Sequence, residues 1–196
     1  MRRFRVWSLL FLSILFSLGG NKANALPGQL TETVAAWIAA NPTLRPAIGD
    51  GLLVRKTDTA ARRFTFQASA IPAGRVSSPV NPRIIRTESF SFFDMINGVT
   101  TQKLAESLRV LYGLDIYQDY QQAKLVYAYP SKQTTDLARR QNLPLLEAQR
   151  GQLRLGERYG YWMEIIQTDS GKAFNGKMTI FLKEDLDKLE TELRDR

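Results

Sequence analysis

The chain has 196 residues, with 27 Lys and Arg against 19 Asp and Glu, and contains neither cysteine nor histidine. Those two absences exclude disulfides, Ser-His-Asp and Cys-His nucleophiles, imidazole bases, and the usual His/Cys sites for zinc, copper and haem. The sequence implies no metal and no cofactor. Carboxylates, lysines and tyrosines are the acid–base groups that remain.

Residues 1–25 read as a secretory signal peptide. Arg2, Arg3 and Arg5 form a positive start, Val6 to Leu18 an apolar stretch, and Ala23-Asn24-Ala25 a small-residue cleavage site. The apolar stretch stops at Gly19-Gly20, short of the ~20 residues that a membrane span needs. Cleavage after Ala25 leaves no transmembrane anchor and points to a periplasmic or extracellular location. It also removes Arg2, Arg3, Arg5 and Lys22, so the net charge falls from +8 to +4. Part of the basicity therefore belongs to the leader, and nucleic acid is a poor candidate partner. Residues 26–196 are long enough for one domain with its own core.

The first helix is predicted from Leu30 to about Asn41. Leu30, Val34, Trp37 and Ile38 fall on one face, Thr31 is a candidate cap, and Asn41-Pro42 is a stop. Strands follow at Leu52–Thr57 and Arg62–Ile71. In the second, Phe64, Phe66, Ala68 and Ala70 alternate with Arg63, Thr65, Gln67 and Ser69, as in a half-buried strand. A Pro- and Gly-rich loop spans Pro72 to Pro82, and a third strand is expected over Arg83–Phe93.

Leu104, Leu108 and Leu111 then mark a helix ending at Gly113. A hairpin of Leu114–Tyr120 and Lys124–Tyr129 is predicted next, followed by a short helix at Thr135–Gln141. Leu145 to Ile166 reads as strand-rich, with breaks at Gly151, Gly156 and Gly160. A last strand, Met178–Lys183, follows an Asn175-Gly176 turn. The final helix has Leu182, Leu186, Leu189 and Leu193 on one face, with acids at its start and arginines at its end.

Antiparallel strands interrupted by helices define the α+β class: a single domain with a sheet of six to eight strands and about four helices packed on it. The first two-thirds of this order is similar to the arrangement in specialised secretion chaperones. That likeness concerns element order alone and implies no site residue.

Catalytic signatures are weak. Gly171 to Lys177 has the spacing of a phosphate-binding loop, but Met178 stands where a Ser or Thr should hold magnesium, and strand-like residues follow where a helix should start. Asp115, Asp119, Glu147, Glu157 and Glu164 are available carboxylates, with no spacing that pairs any two.

The densest coincidence of charge, rings and glycines is at Arg154, Arg158, Tyr159, Tyr161 and Trp162, residue types that carry interface energy. The reading is an exported, non-catalytic binding or assembly module whose partner is a protein or an anionic envelope component. A glycan hydrolase working through carboxylates and a carrier of lipid or another small ligand are the alternatives. Mass spectrometry of the exported product should find Leu26 at the amino terminus, and recovery of a membrane-held form that retains Met1 would overturn the signal-peptide reading.

Overall fold

A computed structural model describes residues 26–196, apart from Val76, Ser77, Val80, Asp169 and Arg196. The segment read as a signal peptide lies outside the described residues. The elements in chain order are α1 (Thr31–Ala40), β1 (Leu53–Thr59), β2 (Arg62–Ser69), β3 (Thr87–Asp94), α2 (Thr101–Tyr112), α3 (Leu114–Gln122) and β4 (Lys124–Tyr129). They continue with α4 (Lys132–Arg140), α5 (Pro144–Ala148), β5 (Gln149–Leu155), β6 (Gly160–Gln167), β7 (Ala173–Phe181) and α6 (Leu186–Arg194), the last entered through a 3-10 turn at Lys183–Asp185.

All seven strands form one antiparallel sheet in the order β1-β2-β3-β7-β6-β5-β4. It consists of two meanders joined where β3 pairs with β7. The connection from β3 to the far edge strand β4 carries α2 and α3. Alternation along the strands sends Phe66, Phe90, Met178 and Met163 to one face, where they meet Val34 and Ile38 of α1, Leu104 and Leu108 of α2, and Ile116 of α3 in one core. On the opposite face Leu153, Trp162 and Phe181 pack with Leu189 and Leu193 of α6 in a smaller core. The fold is α+β, as expected.

Several local expectations are corrected. Thr31 is the first helical residue, not the cap; its hydroxyl donates to the Pro82 carbonyl (3.3 Å), and Leu30 precedes the helix without a side-chain cap. Residues 83–86 stay outside β3, and Ile84 bridges to Leu30 instead. Leu114–Tyr120 is helical, because Ile116 and Tyr120 are buried four residues apart on one face while Leu114 and Asp115 are exposed. Their β-forming side chains were the misleading signal. A further helical turn, α5, starts at Pro144, which suits a first helical position. Gly151 lies inside β5 and does not break it.

Asn175-Gly176 is not a turn. Both residues sit inside β7, and the chain reverses through Thr168–Lys172, with Gly171 at φ 81°. Gly176 is needed for a different reason: a Cβ there would stand 2.7 Å from Val99 Cγ1 and 3.1 Å from Leu104 Cδ1, so the glycine lets α2 settle onto the sheet. The strand conformation also excludes a phosphate loop at 171–177.

The carboxyl-terminal helix is anchored by charge as well as by leucines. Arg86 donates to both carboxylate oxygens of Asp185, Nε to Oδ2 at 3.0 Å and Nη2 to Oδ1 at 2.7 Å, and both side chains are largely buried. Such a bidentate pair fixes the entry to α6 with a geometry that lysine cannot reproduce. Glu190 and Arg194, one helical turn apart, pair at 2.6 Å. Leu189 is fully buried, so Leu189→Ala should cost about 2–5 kcal/mol. An unchanged denaturant midpoint would mean that α6 does not hold the second face.

Candidate functional site

The five residues singled out in the sequence do not form one surface. Tyr161 and Trp162 are successive residues of β6 and so point to opposite faces. Tyr161 is fully buried under α3, and its hydroxyl donates to Asp119 Oδ2 at 2.6 Å. Burial first, and then this bond, pushes its pKa far above the ordinary tyrosine value. Trp162 is buried on the other face, where its Nε1 donates to the Tyr129 hydroxyl at 2.8 Å. Arg154 is half-buried: its guanidinium lies 5.6 Å over the Tyr120 ring and donates to Gln152 and to the Ala123 carbonyl. Arg158 is exposed in the β5–β6 turn, above the half-buried ring of Tyr159.

What joins part of this set is Asp119, which the sequence gave no reason to prefer over other carboxylates. Besides Tyr161, its carboxylate accepts from the backbone amides of Glu157 (2.8 Å) and Arg158 (3.1 Å). Asp119 thereby ties α3 to the β5–β6 turn. Its oxygens are occupied by the protein's own donors, so the arrangement is a structural clasp.

The most unusual buried group is Glu88 of β3. It is in phase with Phe90 and Phe92, a signal the sequence carried, and it is fully buried on the helix-covered face. Among the described residues, neither carboxyl oxygen nor the neighbouring Tyr112 hydroxyl makes a hydrogen bond of normal geometry. Desolvation raises the pKa to about 8, and the nearby phenol of Tyr112 draws it back only in part. Glu88 lines none of the clefts described here.

The concave surface lies elsewhere, on the face opposite α1–α3. α6 covers the β4–β6 side of that face, and no helix among the described residues covers β1, β2 and β3. Three adjoining clefts of about 450, 260 and 310 Å³ run across it, the first two sharing Ser91 and Asn175 and the last two sharing Lys177. The floor is lined by the hydroxyls of Thr57, Thr65, Ser69, Ser89 and Ser91, with the cations Arg55, Arg63 and Lys177 exposed among them. Arg63 is held 4.6 Å over the Phe93 ring. Glu164 is the one carboxylate lining these three clefts, and it accepts from Tyr129 and Gln149. The alternation Arg63, Thr65, Gln67, Ser69 was visible as the polar side of a strand. That Ser91 and Lys177 lie beside it follows only from the pairing of β2, β3 and β7.

No group of three or more Asp or Glu residues is placed to hold a metal ion among the described residues, and no helix there is long and apolar enough to cross a membrane. Comparison with protein-family models, with curated proteins and with solved structures finds no match. The likeness to secretion chaperones therefore rests on element order alone, and α3 departs from the order on which it was based.

Burial of Glu88 should make stability fall between acid and neutral pH. Its free side chain titrates near 4.5 and its folded form near 8, so stability is fully present below pH 4.5 and is lost as pH rises through about 8. The loss across that window is on the order of several kcal/mol. Urea midpoints measured from pH 5 to pH 9 should fall steeply for the parent and much less for Glu88→Gln. Parallel slopes in the two proteins would show that Glu88 does not carry the effect.

Proposed function

We propose that the protein is an exported, non-catalytic binding module whose seat is the uncovered sheet face and whose partner is an extended polyanion. The export part of the reading is supported by the leader-like segment 1–25. The observation that supports the rest is the continuous trough lined by hydroxyls and by Arg55, Arg63 and Lys177, with a single carboxylate at its border. A carboxylate hydrolase finds less support, because none of the clefts described here brings two carboxylates face to face. A lipid carrier finds less support because these clefts are open and polar.

The partner's chemistry follows from spacing. Arg55 is on β1, Arg63 on β2 and Lys177 on β7, so the cations span three strand intervals, roughly 14 Å. One phosphate or carboxylate cannot reach all three. A chain with repeated acidic groups can, whether an acidic polypeptide or an acidic glycan, with the hydroxyls donating between the ion pairs. The earlier candidates Arg154 and Arg158 lie outside this trough.

Calorimetric titration with poly-L-glutamate and with polygalacturonate separates the two sources. Binding of one of them should weaken steeply with added salt. Its affinity should fall on the order of tenfold in the Arg55→Gln, Arg63→Gln double variant, each exposed contact contributing up to ~1 kcal/mol. If neither polymer binds, or if the variant binds as the parent does, the trough is not an anion seat.

A further inference from the structure

The helix-covered face carries a second concave surface, a cleft of about 330 Å³ between α2, α3 and β5. Its charges are already committed. Glu106 accepts from the Tyr117 hydroxyl and from Arg109 Nε, each at 3.1 Å. Arg154 is spent on Gln152 Oε1, on the Ala123 carbonyl and on the Tyr120 ring. What faces the cleft without a hydrogen-bond partner among the described residues is neutral: the side-chain amides of Gln102 and Gln121, the amide nitrogen of Gln152 and the Thr101 hydroxyl. The half-buried Tyr117 ring, with the small exposed edges of the otherwise buried Ala105 and Met163, supplies an apolar strip between them.

We propose that this cleft binds a neutral saccharide ring. Each glutamine amide offers a donor and an acceptor side by side, which matches a pair of adjacent sugar hydroxyls, and the apolar patch matches the C–H face of the ring. A hydrocarbon ligand would leave these amides desolvated and unpaired. Glu106 and Arg154 give the cleft one charge of each sign, both already hydrogen-bonded, so neither an anion nor a cation finds a net counter-charge there. A peptide strand would seek main-chain partners, and β5 has none to offer because β4 and β6 pair with it on both sides. The volume, near the lower end of the ~300–1,000 Å³ typical of ligand pockets, suits one or two rings. None of the trough residues lines this cleft, so the two sites stand or fall separately.

Saturation-transfer NMR on the purified chain tests the assignment with glucose, galactose, N-acetylglucosamine and, as the peptide probe, triglycine. Transfer to the ring protons of at least one sugar is expected, with millimolar affinity. That affinity should fall by about tenfold or more in Gln102→Leu, Gln121→Leu, since the variant strands the sugar hydroxyls against leucine. Both glutamines are exposed, so the fold should persist; circular dichroism checks this, and Gln121→Ala alone replaces the pair if it does not. Absence of transfer to all three sugars, equal transfer in the variant, or stronger transfer to triglycine would each overturn the proposal.

Discussion

The pairing of β3 with β7 is the joint on which the rest of the molecule depends. Each meander pairs its strands in chain order, but the two become one sheet only through the register from Thr87↔Phe181 to Phe93↔Asn175. Phe90 and Met178, adjacent in that register, form the middle of the larger core. Arg86, just before β3, reaches Asp185, just after β7, so the ion pair extends the joint past the last strand hydrogen bond. Glu88 lies in the same joint. A buried carboxyl without partners is a cost, and it is smallest while the group stays neutral. The seam that unites the sheet thus also holds the buried carboxyl that the fold keeps neutral.

Among the described residues, the open trough lies where helix cover of the sheet ends. Seven strands ~4.8 Å apart make a sheet roughly 30 Å wide. Three helices, α1, α2 and α3, suffice for one face. Among the described residues, the second core on the other face is closed by α6, whose nine residues extend only ~14 Å. The α6 helix covers Leu153, Trp162 and Phe181, and there the strands carry large apolar groups. Beyond its reach the same face switches to Thr, Ser, Arg and Lys, polar groups that no helix among the described residues covers. The polarity of the trough and the length of the last helix are two aspects of one constraint.

This constraint explains how much was legible in the sequence. Helices with one apolar stripe, α2 and α6, stood out because leucines recur at helical spacing on an otherwise polar segment. β2 stood out through strict alternation. Misreadings arose where local chemistry and tertiary role diverge. Ile116, Tyr117 and Tyr120 are strand formers that serve as a helix face, and Asn175-Gly176 is turn chemistry used to let α2 approach. Tyr161 and Trp162 drew attention as neighbours, yet β6 is covered on both faces, so adjacency put one ring in each core. The trough was hidden for the opposite reason. Its residues are ordinary polar side chains on separate strands, and they become a surface only when the β3–β7 joint sets them side by side.

If the trough is the anion seat proposed above, the same geometry limits what it would recognise. Its cations are exposed, so each ion pair contributes little by itself and less as salt rises. Three such contacts made by three independent small anions would each have to offset the loss of a ligand's own freedom. Made by one chain, that loss is met once, and the second and third contacts form at the high effective concentration set by the first. The sheet strengthens the argument because it is held rigid by pairing on both sides of β2, β3 and β7, so little of the protein has to be ordered on binding. A rigid, wide and weakly charged floor therefore favours a long partner over a small one, and it favours regular spacing of charge over high charge at one point.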